Sequence, residues 1–210
     1  MFDACYVINL DRRPDRYEAF CERLPTDWPF PTPTRYSAYD GRDALIVPLG
    51  WKATRGAFGC LLSHRSLLRR AAENFESILI LEDDVLFRAG FSAKATALVD
   101  RCREWDQIYL GGQHVAPTVD TDIKGLRRCV KTQRTHAYAV SARGAARLLP
   151  IVDRADTHID VYYARAQKDE LITAYAPAVW LCGQAPGQSD VFGSKQPARV
   201  LENYWDEEPQ

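Results

Sequence analysis

Apolar positions recur along this chain at strand and helix periods in turn. Residues 4–10 (ACYVINL) are a β-rich run bounded by charge and predict a first strand. Tyr17, Phe20, Cys21 and Leu24 then fall at i, i+3, i+4 and i+7, one face of an amphipathic helix. Pro14 suits its first turn, and Asp11 or Asp15 its positive end. Pro25, Pro29, Pro31 and Pro33 end that helix in a stiff loop. Residues 35–39 predict a second strand, closing on Asp40-Gly41. This β–loop–α–β opening is the first unit of a parallel sheet.

Residues 44–50 look like loop. From Gly56 a strong helix begins, with Phe58, Leu61, Leu62, Leu68, Ala72 and Phe75 as its apolar stripe. It feeds into residues 78–81 (ILIL), apolar on both faces and therefore a buried central strand of a mostly parallel α/β sheet. After residues 85–87, the pattern predicts a helix over 92–105 capped by Ser92, then a strand over 107–110 ending in Gly111-Gly112-Gln113. Residues 115–128 predict a mobile loop or irregular hairpin near the site. A strand over 135–140 leads to a helix over 142–149, capped by Ser141 and halted by Pro150. Asp156-Thr157 caps the next helix, which holds His158, Asp160, Tyr162 and Tyr163. Residues 171–181, interrupted by Pro177, predict a last strand at a sheet edge. No repeat, low-complexity segment or linker appears, so residues 1–210 are expected to form a single domain.

Composition adds boundaries rather than an identity. The chain is 46% hydrophobic and 26% charged, with net charge −1 and a pI near 6.4. A general nucleic-acid binder carries a basic face, so nucleic acid is a disfavoured partner. No apolar run reaches bilayer length, and Asp3 interrupts the start of the chain, so neither a transmembrane segment nor a signal peptide is expected. Peripheral membrane contact stays open. Cys5, Cys21, Cys60, Cys102, Cys129 and Cys182 are scattered singly, without a CxxC pair or zinc spacing. Cys5, Cys60 and Cys182 sit in apolar neighbourhoods and are expected to be reduced core residues, which points to a cytoplasmic protein. Tyr204-Trp205, in the acidic tail, is expected to fold back.

The candidate chemistry lies where the central strand ends. Glu82, Asp83 and Asp84 follow Leu81 directly, and ligands of open α/β sheets bind outside the carboxyl ends of strands. Three carboxylates there repel one another unless a cation neutralises them, and hard oxygen ligands suit Mn²⁺ or Mg²⁺ holding a phosphorylated ligand. A solvated acidic turn is the other reading of the same residues. Arg12 and Arg16, at the helix start after the first strand, suit an anion or the polar part of a nucleotide, or else a surface Arg–Asp network. Glycines at 111 and 112 allow close approach of a ligand or of another backbone. His64, alone on its helix, is of a type more often structural than catalytic. Neither GxGxxG nor GxxxxGK[ST] is present, which argues against a dinucleotide fold or a P-loop.

Four blocks taken together resemble glycosyltransferase family 25, the lipooligosaccharide and procollagen galactosyltransferase family. They are residues 6–16 (YVINLDRRPDR), 56–64 (GAFGCLLSH), 78–84 (ILILEDD) and 135–141 (THAYAVS), in that order. Residues 38–41 (AYDG) and 189–191 (SDV) also look like family blocks. The resemblance covers nearly the whole chain. It implies a GT-A-like nucleotide-binding sandwich and a metal-dependent, inverting transfer of a hexose, typically galactose, from a UDP-sugar to a hydroxyl acceptor such as a lipooligosaccharide. Glu82-Asp83-Asp84 stands where the family has its DxD-like motif. The resemblance then makes Asp84 the leading metal ligand, with Asp83 and Asp190 beside it. Asn9, Leu10, Arg12, Arg16, Asp40 and His64 would line the nucleotide site, Glu82 would face the ribose or the donor sugar, and Gly111, Gly112 and Gln113 would border the donor sugar. Asp160 is the implied base, followed by Asp156 and then Asp190. The motif opens with Glu rather than Asp, and the chain is short for the family, leaving little material for a large acceptor site.

Other classes are weighed against this. A receiver domain would also open on an acidic strand end, but Asp120, Asp122, Lys131 and Lys168 do not follow apolar strands as its other site residues must. A family-like protein that binds nucleotide without turnover, and the same enzyme acting on a protein or a modified nucleic-acid base, are the remaining alternatives.

Overall fold

The computed structural model describes residues 1–188, 190–191 and 195–196; Ser189, Gly193 and Tyr204-Trp205 lie outside the described residues. Strand β1 (Ala4–Asn9) carries apolar side chains on both faces, and Cys5 and Val7 enter a different core from Tyr6 and Ile8. Helix α1 (Pro14–Arg23) starts on proline, whose missing N–H costs nothing in a first turn, and buries Phe20. Strand β2 (Thr34–Ser37) pairs parallel with β1. A 3-10 turn at Gly41–Asp43 is capped by Asp40, which accepts the Arg42 N–H at 3.0 Å. Helix α2 (Arg55–Asn74) is capped by Thr54, whose Oγ1 accepts the Ala57 N–H at 3.0 Å. Strand β3 (Ser77–Glu82) follows, buried as far as Leu81.

The rest runs β4 (Val85–Phe87), α3 (Phe91–Val99), β5 (Gln107–His114), β6 (Val119–Asp120), β7 (Leu126–Arg128), β8 (Thr132–Ser141), α4 (Ala142–Val152), α5 (Ile159–Lys168), β9 (Ala174–Pro177), β10 (Cys182–Gln184), β11 (Gly187–Gln188) and β12 (Lys195–Gln196). Eight strands form one sheet in the order β2-β1-β3-β8-β5-β9-β7-β6, in which β8 and β7 run against the other strands. Ile78, Ile80, Tyr109, Tyr138 and Val140 pack under α2, α4 and α5. Leu79, Leu81, Ile108, Leu110, Ala137 and Ala139 face α3, Phe20 and Phe30 on the other side. The result is the expected α/β sandwich around a mostly parallel sheet. Chain order reverses at β1, which has β2 on one side and β3 on the other, so a crevice opens at the carboxyl ends of β1 and β3.

Several sequence expectations change. Ser92 is not a cap: Gly90, at φ 70°, takes that place, and Ser92 lies inside α3, donating to Asp27 Oδ1 at 2.7 Å. That helix ends at Val99, where the Cys102 N–H turns back to the Val99 carbonyl. Pro150 does not halt α4, which continues to Val152. It sits on the exposed face, where water can satisfy the carbonyl left without a donor. Likewise, His158 is the cap residue of α5 rather than part of it. Residues 171–181 do not form an edge strand: β9 is interior, between β5 and β7, with Pro177 at its last position. Residues 115–128 do form a hairpin, β6–β7, but at the sheet edge opposite β2 and outside the cavity lining. Gly111 and Gly112 lie within β5, not at its end.

Candidate functional site

The crevice is a cavity of about 590 Å³. Its walls follow from the topology. β1 delivers Asn9 and the turn after it, and β3 delivers Glu82, Asp83 and Asp84. Since β8 is antiparallel to β3, its beginning comes to the same edge and brings Gln133, Arg134 and Thr135. The end of β5 adds Gln113, β10 adds Gln184, and the start of α5 adds Asp160.

On one wall, arginines after β1 interlock with carboxylates. Arg12 reaches Asp40 through Nε and Asp190 through Nη2, each at 2.7 Å, and Arg13 Nη1 lies 2.9 Å from Asp190. Arg16 pairs with Asp83, with Asp84 at 3.1 Å and with Asp190 at 3.4 Å. Its guanidinium thus fills the space among three carboxylates. Asn9 donates to Asp83 Oδ2 at 2.7 Å. Arg23 donates to the Asp83 and Val85 carbonyls, and Ala185 N–H to that of Asp84, so the acidic turn is held by its backbone.

The carboxylates are not equivalent. Burial, then the neighbouring charge of Glu82, pushes Asp84 up to about 7 against the pull of Arg16. Among the described residues, Asp84 Oδ1 is buried without a hydrogen-bond partner. Burial also raises Asp83, opposed by Arg16 and Asn9. For Glu82, burial is outweighed by His64 and by the 2.6 Å bond from Thr135 Oγ1, which hold it down at about 2. Asp40 is held well below the usual carboxylate range by Arg42, with Arg12 adding to the effect against burial.

Of the residues expected at the site, the cavity gathers Asn9, Leu10, Arg12, Arg16, Asp40, His64, Glu82, Asp83, Asp84, Gln113, Asp160 and Asp190. It does not include Asp156, whose Oδ1 instead accepts the Tyr162 hydroxyl at 2.6 Å. Gly111 and Gly112 do not line it either. A Cβ on Gly111 would lie 2.3 Å from His136 Nε2 and 2.7 Å from the Cys182 carbonyl, so that glycine serves close packing against its neighbours.

Residues missed by sequence reasoning also line the cavity. Arg134 is the clearest. Its φ of 68° is left-handed, inside a strand, where β8 spends extra residues against β5. This bulge aims the guanidinium at Gln113 Oε1, at 3.1 Å, and at Gln184 Oε1, at 2.6 Å, while the Arg134 N–H donates to Asp160 Oδ2 at 3.3 Å. Its signal in sequence was faint: a polar Gln133-Arg134 pair just before an apolar run. Gln184, Thr135 and Arg13 were missed as well.

Asp84, Asp83 and Asp190 surround the Arg16 guanidinium, and the chemistry of the buried Asp84 Oδ1 fits a hard cation. Among the described residues, one group has its ligand atoms close enough together to hold an ion. Cys60, His64 and Glu82 offer sulfur, nitrogen and oxygen atoms within 4.8 Å of one another.

Comparison with known proteins bears on this geometry. The chain is 32% identical over 173 residues to a human protein named "Inactive glycosyltransferase 25 family member 3", covering 70% of this chain and 29% of that one. It is 28% identical over 172 residues to "Procollagen galactosyltransferase 1-B" of Xenopus laevis, covering 70% of this chain and 28% of the relative. The chain therefore spans less than a third of the length of these relatives. Among solved structures it is similar to mannose-1-phosphate geranyltransferase from Thermus thermophilus, with TM-score 0.43 and 15% identity, over 83% of this chain and 72% of that one. Residues 48–163 match the family described as "Glycosyltransferase family 25 (LPS biosynthesis protein)". That match runs from before α2, through the acidic end of β3, to the first turns of α5, more than half of the sequence, and the chain belongs to glycosyltransferase family 25.

Proposed function

We propose that this chain transfers a hexose, galactose or a close relative, from a UDP-sugar to a hydroxyl of a glycan acceptor, with inversion at the anomeric carbon. The observation that carries the reading is Asp84: a half-buried carboxylate with one buried oxygen that has no hydrogen-bond partner among the described residues, raised to about 7, beside a wall of arginines. A group in that state is stabilised by a cation, and the arginines suit a diphosphate. The sugar is supported by the name of the Xenopus laevis relative, and the glycan acceptor by the family description.

Asp84, with Asp83 and Asp190, would hold Mn²⁺ or Mg²⁺, which when bound offsets negative charge on the departing UDP. Arg12, Arg13 and Arg16 exchange carboxylate partners for phosphate oxygens, keeping charge balanced while the donor enters. Asn9 holds Asp83 in place, and Leu10 and Asp40 line the nucleoside end. Asp160 takes the proton of the acceptor hydroxyl as that oxygen attacks the anomeric carbon and the bond to UDP breaks. Its carboxylate is positioned by the Arg134 N–H and by the first turn of α5.

A second reading, nucleotide binding without turnover, is favoured by the relatives' names that include "inactive". Two measurements separate them. The melting temperature is expected to rise with UDP only when Mn²⁺ is present, since a ligand of the native state stabilises it by mass action. UDP release from UDP-galactose, with a galactosyl-accepting glycan present, is expected in wild type and lost in Asp160→Asn, which keeps the thermal shift. No shift with UDP, GDP, CMP or ADP overturns both readings; a shift without UDP release leaves the second.

A further inference from the structure

The floor of the cavity carries a donor set that the transfer chemistry leaves unexplained. Cys60 and His64 are one turn apart on α2 and so share a face, and Glu82 approaches them from the end of β3. His64 is fully buried. Its Nδ1 lies 3.0 Å from the Tyr138 hydroxyl, which lies 2.9 Å from that of Tyr163. When Tyr138 donates to Tyr163 and accepts the Nδ1–H, both hydrogen bonds are satisfied and Nε2 is left as a bare lone pair. That nitrogen is buried without a hydrogen-bond partner and faces Glu82 Oε1 at 3.4 Å. A lone pair against a carboxylate is repulsive unless something positive stands between them. A proton or a metal ion would supply that charge, and the 3.4 Å gap with a sulfur beside it suits the ion. The Cys60 sulfur completes a triangle around that gap.

We propose that Cys60, His64 and Glu82 bind a thiolate-seeking transition metal ion, Zn²⁺ by ligand type, separate from the all-oxygen site at Asp84. Sulfur and imidazole favour Zn²⁺ over Mg²⁺ or Mn²⁺, so the two sets sort their cations by softness. Three protein ligands on a cavity wall leave a fourth position for water or a substrate oxygen. The Tyr138–Tyr163 pair supplies the outer support that fixes a ligating imidazole. On binding, the Cys60 thiol gives its proton to solvent and the sulfur bonds as thiolate, so one proton is released per ion.

The test is to strip the purified chain with a chelator and titrate it with Co²⁺, then with Zn²⁺. The expected result is a near-ultraviolet thiolate-to-cobalt charge-transfer band that saturates at one Co²⁺ per chain and is lost on adding Zn²⁺. Cys60→Ser should abolish the band, and His64→Gln should weaken binding by about tenfold or more; circular dichroism checks that both variants are folded. Asp84→Asn should retain the band. No band in wild type, or a band that survives Cys60→Ser, overturns the proposal. The UDP thermal shift with Mn²⁺ is read separately, so failure of the cobalt site and failure of the donor site are distinguishable.

Discussion

At the residue scale, this site is a problem of charge placed where water is scarce. Asp84 is the extreme case, because burial, Glu82 and Asp83 oppose its ionisation while Arg16 and Gln184 favour it. Replacing it by Asn removes the charge and keeps the shape. Asp84→Asn is expected to abolish Mn²⁺-dependent UDP binding in calorimetry, with an unchanged circular dichroism spectrum. Unchanged binding would defeat the assignment. Asp40 is the opposite case, held low by Arg42 and Arg12. A carboxylate depressed in the folded state adds stability above its unfolded value, and that stability is lost as pH falls toward the folded one. Asp40→Asn should therefore lower stability at pH 7, by no more than about 1 kcal/mol for a partly exposed pair. The difference should shrink as pH drops below about 4. Thermal melts across that range check it.

At the element scale, the strand ends are what bring chemistry together. β1 and β3 run in parallel, so the turns after them meet, and β8, antiparallel, starts where they end. The Arg134 bulge refines this by holding one side chain over the cavity at the expense of a left-handed backbone. Glycine adopts that conformation freely, whereas a β-branched residue is strained in it. Arg134→Gly is thus expected to be more stable than Arg134→Val by about 1–2 kcal/mol, the reverse of the ordinary strand preference. Denaturant midpoints of the two variants decide it, and an equal or inverted order would mean that the bulge relaxes.

At the scale of the whole molecule, a sheet with cores on both faces holds the cavity rim in place, and a polar clamp at the opposite end of the strands ties the layers. Asp106, fully buried, accepts from Arg143 and Arg147 of α4 at 2.7 Å and from the Thr173 N–H at 2.8 Å. Asp106→Ala leaves that N–H without its partner and frees α4, and should cost about 3 kcal/mol, seen as a fall of ~6–12 °C in the melting temperature. UDP affinity at lower temperature should be unaffected, since Asp106 lies outside the cavity lining. The sequence alone determined the local quantities: β1, α1, α2 and β3 from their apolar periods, the Ser141 cap, and the acidic strand end at which the cavity opens. These depend on residues a few positions apart, which the pattern displays. It also marked Glu82-Asp83-Asp84 as a candidate cation site, and the resemblance to the family singled out Asp84 within it. Tertiary structure decided the rest. The direction of β8, the interior place of β9, the exclusion of Asp156, the packing role of Gly111 and the arrival of Arg134 and Gln184 all depend on strand order and a bulge. Such contacts join residues far apart in the chain, and no local period records which distant partner a backbone will meet.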